Sequence, residues 1–253
     1  MELGALKLAL LEMLVLVGSI ARAFSGMGAA ALIAPLVSFL LPPKDVIALS
    51  ILVRALIDAT FLLSERPLFE FAGAYASGAI GFALGLALYS LASQRLVGAV
   101  LSLGILALAL LMLVGARWRV RRERELMSVA GFAGGFMSIL TGVAGPQVAL
   151  ALINQGRNPV YVRRYTMTFV SFTDLLALIS LPMIGGLRVE HLEVFALLAP
   201  GVLVGYWLGA QLLKRASERA KLLERIVLAL IASSSLAASL RFLLSWGAPT
   251  NSL

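Results

Sequence analysis

The chain has 253 residues, of which 60% are hydrophobic and 13% are charged, and it carries a formal net charge of +8. Because a soluble globular domain has about 25% charged residues, this composition excludes a sizeable soluble domain and makes lipid the solvent of most of the surface. The chain has no cysteine and one histidine, His191, which excludes disulfides and thiolate sites and leaves little with which to hold a metal or a cofactor.

Five hydrophobic segments are predicted in the first part of the chain, separated by turn chemistry. They cover residues 5–24, 29–41, 44–63, 70–92 and 95–115. The breaks between them include Leu41-Pro42-Pro43-Lys44 and Ser64-Glu65-Arg66-Pro67, where proline ends or restarts a helix. All but one of these segments are long enough to cross the hydrocarbon core of a bilayer.

A basic linker over 117–127 leads to five further segments. They cover residues 128–141, 146–156, 160–184, 191–213 and 222–244. Segments 29–41, 128–141 and 146–156 are short, because at 1.5 Å per residue they reach only about 17–21 Å of a ~30 Å core. We expect half-helices or re-entrant pieces there, which persist at membrane depth only where protein or a watery cavity satisfies the backbone.

The two sets of segments repeat each other weakly at an offset of 116 residues. From Val17 to Leu63, without a gap, Gly18 pairs with Gly134, Gly26 with Gly142, Pro43 with Pro159 and Asp58 with Asp174. Chance similarity among Gly-rich and Ala-rich helices is the alternative, but the matches include helix-breaking and charged residues. Duplicated halves with broken hydrophobic segments are typical of secondary transporters. The predicted domains are a first repeat over 1–116, the linker over 117–127 and a second repeat over 128–253.

The N-terminus could also be interpreted as a signal peptide. Lys7 precedes an apolar run, and Ala21-Arg22-Ala23 has the small-x-small form of a cleavage site. Glu12 interrupts the run, however, and cleavage after Ala23 would remove part of the repeat. We therefore expect this segment to be retained.

Basic residues are distributed unevenly between the two sides of the predicted membrane. If the linker faces the cytoplasm, alternation of the segments puts 14 of the 21 Lys and Arg residues inside and 5 outside. The loop between the last two segments is then outside in the first half, at Gln94 and Arg95, and inside in the second, at Lys214 to Arg225. We therefore predict an all-α polytopic membrane protein of two inverted repeats, with about 8–10 membrane segments and broken or re-entrant helices. It would lie in the plasma membrane with both termini extracytoplasmic.

Two glycine-containing breaks are candidates for the binding site. The first contributes Ser25, Gly26 and Gly28, and the second contributes Thr141, Gly142, Gly145, Pro146 and Gln147. Glycine lets the backbone approach a ligand, and a helix that starts after such a break points free N–H groups and a positive dipole end at an anion. The alternative is that small residues only allow close helix packing, which better explains Gly81, Gly85, Gly201, Gly205 and Gly209.

Charged residues inside the apolar segments form the second group of candidates. Arg22 and Arg54 could hold an anion, and Asp58 or Asp174 could carry a coupling ion, because intramembrane charges are costly unless they are paired or hydrated. Arg54 and Asp58 are four residues apart on one helix, so the alternative is a structural pair between them. Asp174 has no basic neighbour in sequence, which favours a functional role.

The stretches around the two breaks resemble a known family of membrane transporters. Gly131 to Leu150, with its Gly-rich break and Gly145-Pro146, resembles the second-half signature of the sulfite exporter TauE/SafE family. Phe24 to Leu36 resembles the first-half counterpart, with Ala29 and Ala30 where the family is usually richer in glycine, and Pro42 to Ser50 resembles its Pro-Pro run. The resemblance covers nearly the whole chain and implies a transporter for sulfite, sulfonates or related sulfur anions.

The expected function is alternating-access transport of a small anion, with energy from an ion gradient or from the substrate's own gradient. A passive anion channel and a non-transporting membrane scaffold are the alternatives. No nucleophile–base pair, metal cluster or ATP-binding loop is visible, so we predict no enzyme activity, no metal and no cofactor. The expected partners are the anion, membrane lipids, and a proton or sodium ion; association of copies of the chain is left open. The basic run Arg117 to Arg124 is explained by lipid headgroups rather than by nucleic acid.

The charge bias predicts that both termini lie outside the cell. Because the chain has no cysteine, a single cysteine placed at Ser252 reports its own exposure. We expect it to react with a membrane-impermeant thiol reagent in intact cells, while a cysteine at Ser128 is protected. The reverse pattern would contradict the inverted arrangement.

Overall fold

The computed structural model describes residues 4–26, 28–114, 122–215 and 232–240, without the side chains of residues 24–25, 28–32, 112–114 and 213–215. Nine helices are described in full, together with a helical stretch over 232–240. They are α1 (Ala5–Ser25), α2 (Gly28–Val37), α3 (Pro43–Ser64), α4 (Ala72–Leu91), α5 (Gln94–Val114), α6 (Glu123–Thr141), α7 (Gly145–Asn154), α8 (Pro159–Met183) and α9 (Val189–Arg215). The architecture is that of the predicted all-α polytopic membrane protein.

Five of these helices are long and apolar enough to cross a membrane. They are α3, α4, α5 over Gln94–Leu111, α8, and α9 over Val189–Leu212. Two of the segments predicted to be short are short, since α2 and α7 have 10 residues each. The third prediction was wrong: α6 has 19 residues, because it begins at Glu123, inside the range assigned to the basic linker. Residues 222–231 and 241–244 of the last predicted segment, and residues 117–121 of the linker, lie outside the described residues.

Both breaks end their first helix in the same way. Gly26 has φ 77° and its N–H donates to the Arg22 carbonyl, and Gly142 has φ 72° and its N–H donates to the Ser138 carbonyl. Glycine adopts this left-handed conformation without the steric cost that a Cβ imposes. Two glycines that are 116 residues apart therefore close two helices with one geometry.

The two halves meet along α3 and α8, which are the repeat-equivalent helices that begin at Pro43 and Pro159. The middle of α3 at Arg54 bonds to Asp174, whereas the end of α3 at Glu65 bonds to Arg163, near the start of α8. The two helices consequently run in opposite directions. Opposite directions for equivalent helices are what an inverted repeat predicts; the inversion of the whole halves stays a prediction.

The outer helices pack across the halves through small residues. α1 packs mainly on α9, and its repeat equivalent α6 packs mainly on α4, the equivalent of α9. A Cβ atom built on Gly205 of α9 would lie 2.5 Å from the Leu16 carbonyl oxygen of α1, and one on Gly85 of α4 would lie 2.6 Å from the Phe136 carbonyl oxygen of α6. These glycines are packing residues, as the sequence predicted, because the neighbouring backbone occupies the space of a side chain.

The glycine contacts predict a loss of stability when a methyl group is added at Gly205. Gly205→Ala forces α9 away from α1, and overpacking of this kind costs about 1–3 kcal/mol. The measurement is the thermal unfolding temperature of the purified protein in detergent. Gly4→Ala is the control, because nothing lies within 4 Å of a Cβ atom there. Equal unfolding temperatures for the two variants would show that the interface between α1 and α9 can yield.

Candidate functional site

Four charged side chains are buried together where α1, α3 and α8 meet. The Nη2 atom of Arg22 on α1 bonds to Asp58 on α3. Arg54 on α3 bonds to Asp174 on α8 with two parallel bonds, Nε to Oδ2 at 2.9 Å and Nη2 to Oδ1 at 2.6 Å. Asp58 follows Arg54 by one turn on α3, so the two ion pairs lie next to each other and form one cluster. We call these four residues the charge cluster.

The pairing within the charge cluster corrects one sequence interpretation. Arg54 and Asp58 are one turn apart on α3, but the two side chains do not pair with each other. Arg54 pairs with Asp174 on α8, and Asp58 pairs with Arg22 on α1. Both pairs therefore join separate helices, and one of them joins the two halves. Asp174, which has no basic neighbour in sequence, finds its partner 120 residues away.

The charge cluster is electrically balanced but incompletely bonded. All four side chains are 5% exposed or less, and two positive charges face two negative ones. Among the described residues, however, Nε of Arg22, Nη1 of Arg54 and Oδ2 of Asp58 have no hydrogen-bond partner. Buried polar atoms without partners are rare in native proteins, and they mark places where a ligand, an ion or water can bind.

The first break is fixed to the second half by Arg163, which lies one turn into α8. Arg163 of α8 donates through Nε to the Ala23 carbonyl at 2.9 Å and through Nη1 to the two Glu65 carboxylate oxygens at 2.7 and 2.9 Å. A Cβ on Gly26 would lie 3.1–3.2 Å from Arg163. Gly26 is therefore required for its positive φ and for this close approach. The side chain of Ser25 and the surroundings of Gly28 lie outside the described residues.

At the second break, the Thr141 hydroxyl and the Gln147 amide bond to backbone groups of the break and of the end of α6. The Thr141 hydroxyl donates to the Met137 carbonyl at 2.8 Å and accepts from the Val143 N–H at 3.2 Å. Gln147 donates weakly to the Val143 carbonyl at 3.5 Å, while its Oε1 is buried and has no partner in the described part of the chain. Gly142, Gly145 and Pro146 are buried, and α7 starts without a side-chain cap. The hydroxyl predicted to hold an anion is thus already bonded, whereas the first N–H groups of α7, as in any helix, have no carbonyl partner within the helix.

The described contacts of the two breaks are with different helices. The first break contacts α8 at Arg163, while the second approaches α5 at Gly104 and α6 at Gly134. Convergence of the two breaks on one point stays a prediction. Arg22 lies one turn before the first break and pairs with Asp58, so it connects the first break to the charge cluster.

A second group of charges lies at the opposite end of α3 from Glu65. Asp45, in the first turn of α3, accepts from Arg188 Nη2 at 2.8 Å and from His191 Nε2 at 3.0 Å. His191, the single histidine of the chain, is buried here, with 1% of its surface exposed. Its Nδ1 accepts the Arg188 N–H at 3.0 Å, so the proton of the neutral ring sits on Nε2 and points at Asp45.

Ion pairs therefore tie both ends of α3 to the second half, and the charge cluster lies between them. Neither set of ion pairs was predicted from the sequence, in which Arg163 and Arg188 contribute only to the count of basic residues on the two sides of the membrane. One signal was available for Arg163: it follows Pro159, which starts α8, by four residues and thus lies inside the helix.

A further hydrogen bond, from Arg157 to Glu123, joins the start of α8 to the start of α6. This bond raises the pKa of the Arg157 guanidinium.

Apolar helices of membrane-spanning length around a buried cluster of ion pairs define the chain as a polytopic membrane protein of the transporter class. A sequence model of the family described as Sulfite exporter TauE/SafE matches residues 11–238. The chain belongs to this family of membrane transporters, as its sequence motifs predicted. The search of curated proteins and the search of solved structures found no match.

The charge cluster predicts strong coupling between Arg54 and Asp174. Arg54→Met or Asp174→Leu alone leaves a buried charge without its partner, which costs about 3–5 kcal/mol, and the double variant should cost much less than the sum. The measurement is a double-mutant cycle of unfolding free energy. The exposed Arg122–Glu125 pair is the control, with an expected coupling of about 0–1 kcal/mol. Additive effects at Arg54 and Asp174 would contradict the pairing.

Proposed function

We propose that the chain is a secondary transporter of the plasma membrane that moves a small anion, such as sulfite, a sulfonate or a related sulfur anion, by alternating access. The observation that carries this proposal is the charge cluster. Two arginines and two aspartates are buried at the junction of the halves, and each arginine keeps one nitrogen without a partner among the residues that the structure describes. Membership of a transporter family supports the same conclusion.

Exchange of partners on the arginines gives a route for coupling. When a proton binds to the Asp174 carboxylate, Arg54 loses its counter-charge and can take an oxygen of the anion in its place. When the proton leaves, the carboxylate returns to Arg54 and the anion is released. Arg22 and Asp58 provide a second copy of this exchange. The net charge of the buried cluster stays constant if one proton enters for each negative charge on the anion, which avoids the cost of burying an unpaired charge.

The ion pairs at the ends of α3 are suited to act as gates. Glu65 and Arg163 close one end, and Asp45 with Arg188 and His191 closes the other. Opening one group while the other stays closed would expose the charge cluster to one side only. Alternating access requires this behaviour of the two ends.

The glycine breaks complete the proposed binding site. At the second break, Gly142, Gly145 and Gln147 lie next to the first N–H groups of α7, which have no carbonyl partner within the helix. At the first break, Gly26 sets the position of Arg22 one turn earlier. Ser25, Gly28, Thr141 and Pro146 belong to the same proposed cradle. A sodium ion in place of the proton, a passive channel and a scaffold without transport are the competing possibilities.

Asp174→Asn tests the coupling role, because asparagine keeps the shape of the side chain and cannot take up a proton. In proteoliposomes with a pH gradient we expect the variant to lose concentrative uptake of labelled sulfite, while sulfite still raises its unfolding temperature. Glu125→Gln, an exposed carboxylate on α6, is the control and should transport normally.

The other outcomes separate the rival functions. Reduced thermal stability with normal transport per folded molecule would make Asp174 structural. Uptake that follows the anion gradient but ignores the pH gradient would favour a channel or a different coupling ion. Absence of both anion-induced stabilisation and uptake in the parent protein would favour the scaffold.

A further inference from the structure

The ring of His191 holds the start of α3 and the start of α9 together. His191 is the third residue of α9, and its Nδ1 atom accepts the backbone N–H of Arg188, the residue before the helix, at 3.0 Å. It therefore takes the place that Glu or Gln has in a capping box. The other ring nitrogen, Nε2, donates to Asp45 of α3 at 3.0 Å. We call His191, Arg188 and Asp45 the histidine latch.

The bonds of the histidine latch require a neutral ring. Since Nδ1 accepts a hydrogen bond, it carries no proton, and a second proton on the ring would turn Nδ1 into a donor that faces the N–H of Arg188. The cap of α9 would then be lost. The ring is 1% exposed, so water cannot take the place of the lost partner while the latch is closed.

The charges of the histidine latch also oppose a second proton. Asp45 accepts from Arg188 Nη2 at 2.8 Å on the same oxygen that bonds to His191, so the carboxylate already has a positive partner. A proton on His191 would make the group of three net positive at a buried position. Burial of an unbalanced charge is costly, and opening of the latch to water removes that cost.

The other charged and titratable groups around the latch are Lys44, Tyr89 and Glu190. The Lys44 Nζ atom lies over the Tyr89 ring of α4, 5.0 Å from its centroid, and adds positive charge beside Asp45. Glu190 is half-exposed and lies 3.7 Å from Arg188. Histidine changes its charge between about pH 5 and 8, whereas carboxylates usually titrate below this range and lysine, arginine and tyrosine above it.

The ion pairs at the other end of α3 contain no histidine. There Arg163 holds the Glu65 carboxylate and the Ala23 carbonyl. Because His191 is the single histidine of the chain, a proton taken up in this pH range acts on one end of α3 and leaves the other end unchanged. The two ends thus differ in their chemistry as well as in their position.

We propose that the histidine latch is a proton-operated gate: the neutral ring of His191 keeps the Asp45 end of α3 closed, and a second proton on the ring opens it. The proposal rests on the proposed function, since it assigns the control of one of the two gates. A proton that arrives at the Asp45 end would open the charge cluster to that same side, while Glu65 and Arg163 keep the opposite side closed.

Access to a cysteine beneath the latch measures its opening. Ser50 lies on α3 between Asp45 and Arg54, is 6% exposed, and borders a small pocket beside Arg54. Because the chain has no cysteine, Ser50→Cys in the full-length protein in proteoliposomes gives a membrane-impermeant methanethiosulfonate reagent a single target. Ser93→Cys is the reference for the pH dependence of the thiol itself. It is exposed and precedes Gln94, whose side chain bonds to the start of α3, so both cysteines are reached from the same side.

We expect the labelling rate of Ser50→Cys, divided by that of Ser93→Cys, to rise about five- to ten-fold from about pH 8 to about pH 5.5. Loss of one net hydrogen bond shifts an equilibrium by about this factor. Adding His191→Gln should keep the ratio low at both pH values, because glutamine can cap α9 and cannot take up a proton. Glu190→Gln is the matched control next in sequence, and its ratio should still rise.

Asp45→Asn provides a second variant in case His191→Gln folds poorly. Without the carboxylate, Arg188 and His191 lose their shared partner, so the labelling ratio should already be high at about pH 8 and change little on acidification. A low ratio that still rises in Asp45→Asn would show that this carboxylate does not hold the gate, and the proposal would fail.

The remaining outcomes separate this proposal from the proposed function. If the ratio does not rise in the parent protein, or still rises in folded His191→Gln, the latch is overturned even when labelled sulfite is transported. Loss of the rise in Glu190→Gln would assign the proton to Glu190 and also overturn it. If the ratio responds as expected but no gradient drives sulfite uptake, the latch stands and the proposed function is wrong.

Discussion

Charges that are buried between helices must find partners inside the protein, and this requirement decides how the two halves meet. In a low-dielectric interior an unpaired guanidinium or carboxylate costs several kcal/mol, so Arg54 and Asp174 hold α3 against α8 as effectively as apolar contacts do. Arg22 and Asp58 attach α1 to the same place. Because each pair joins different helices, breaking a pair would free those helices to move relative to each other. The interaction that stabilises the junction can therefore also control it.

The arrangement of polar groups along α3 links stability to function. The helix carries an ion pair at its start, the charge cluster in its middle and an ion pair at its end, each bonded to another helix. Aliphatic residues fill the turns between them and border the pocket beside Arg54. A transporter needs a site that is closed at both ends and able to open at either. In the proposed mechanism, the polar contacts at the two ends of α3 meet that need, since water can replace such contacts at modest cost.

Close backbone contact in the outer layer complements the ion pairs of the centre. Glycines on α4 and α9 let those helices lie directly on α6 and α1, with carbonyl oxygens where side chains would otherwise be. Such contacts are rigid, because van der Waals packing at short range tolerates little displacement. The same residue type serves a different purpose at Gly26 and Gly142, where positive φ ends a helix and turns the chain into a short one. Closely packed outer helices therefore surround a centre that ion pairs hold together.

The sequence by itself determined the class of fold, most helix boundaries, the two breaks, the packing glycines and the four charged residues, since these follow from local hydrophobic runs, glycine and proline chemistry and the cost of intramembrane charge. It also determined the family, through motifs around the breaks. Which charge pairs with which was decided only by the tertiary structure, because Arg54 is 120 residues from Asp174 and one turn from Asp58. The tertiary structure also decided three further features. They are the burial of His191 against Asp45, the hydrogen bonds of Arg163 to Ala23 and Glu65, and the pocket beside Arg54. Each of these arises where helices from distant parts of the chain come together, and the spacing of residues along one helix carries no information about that contact.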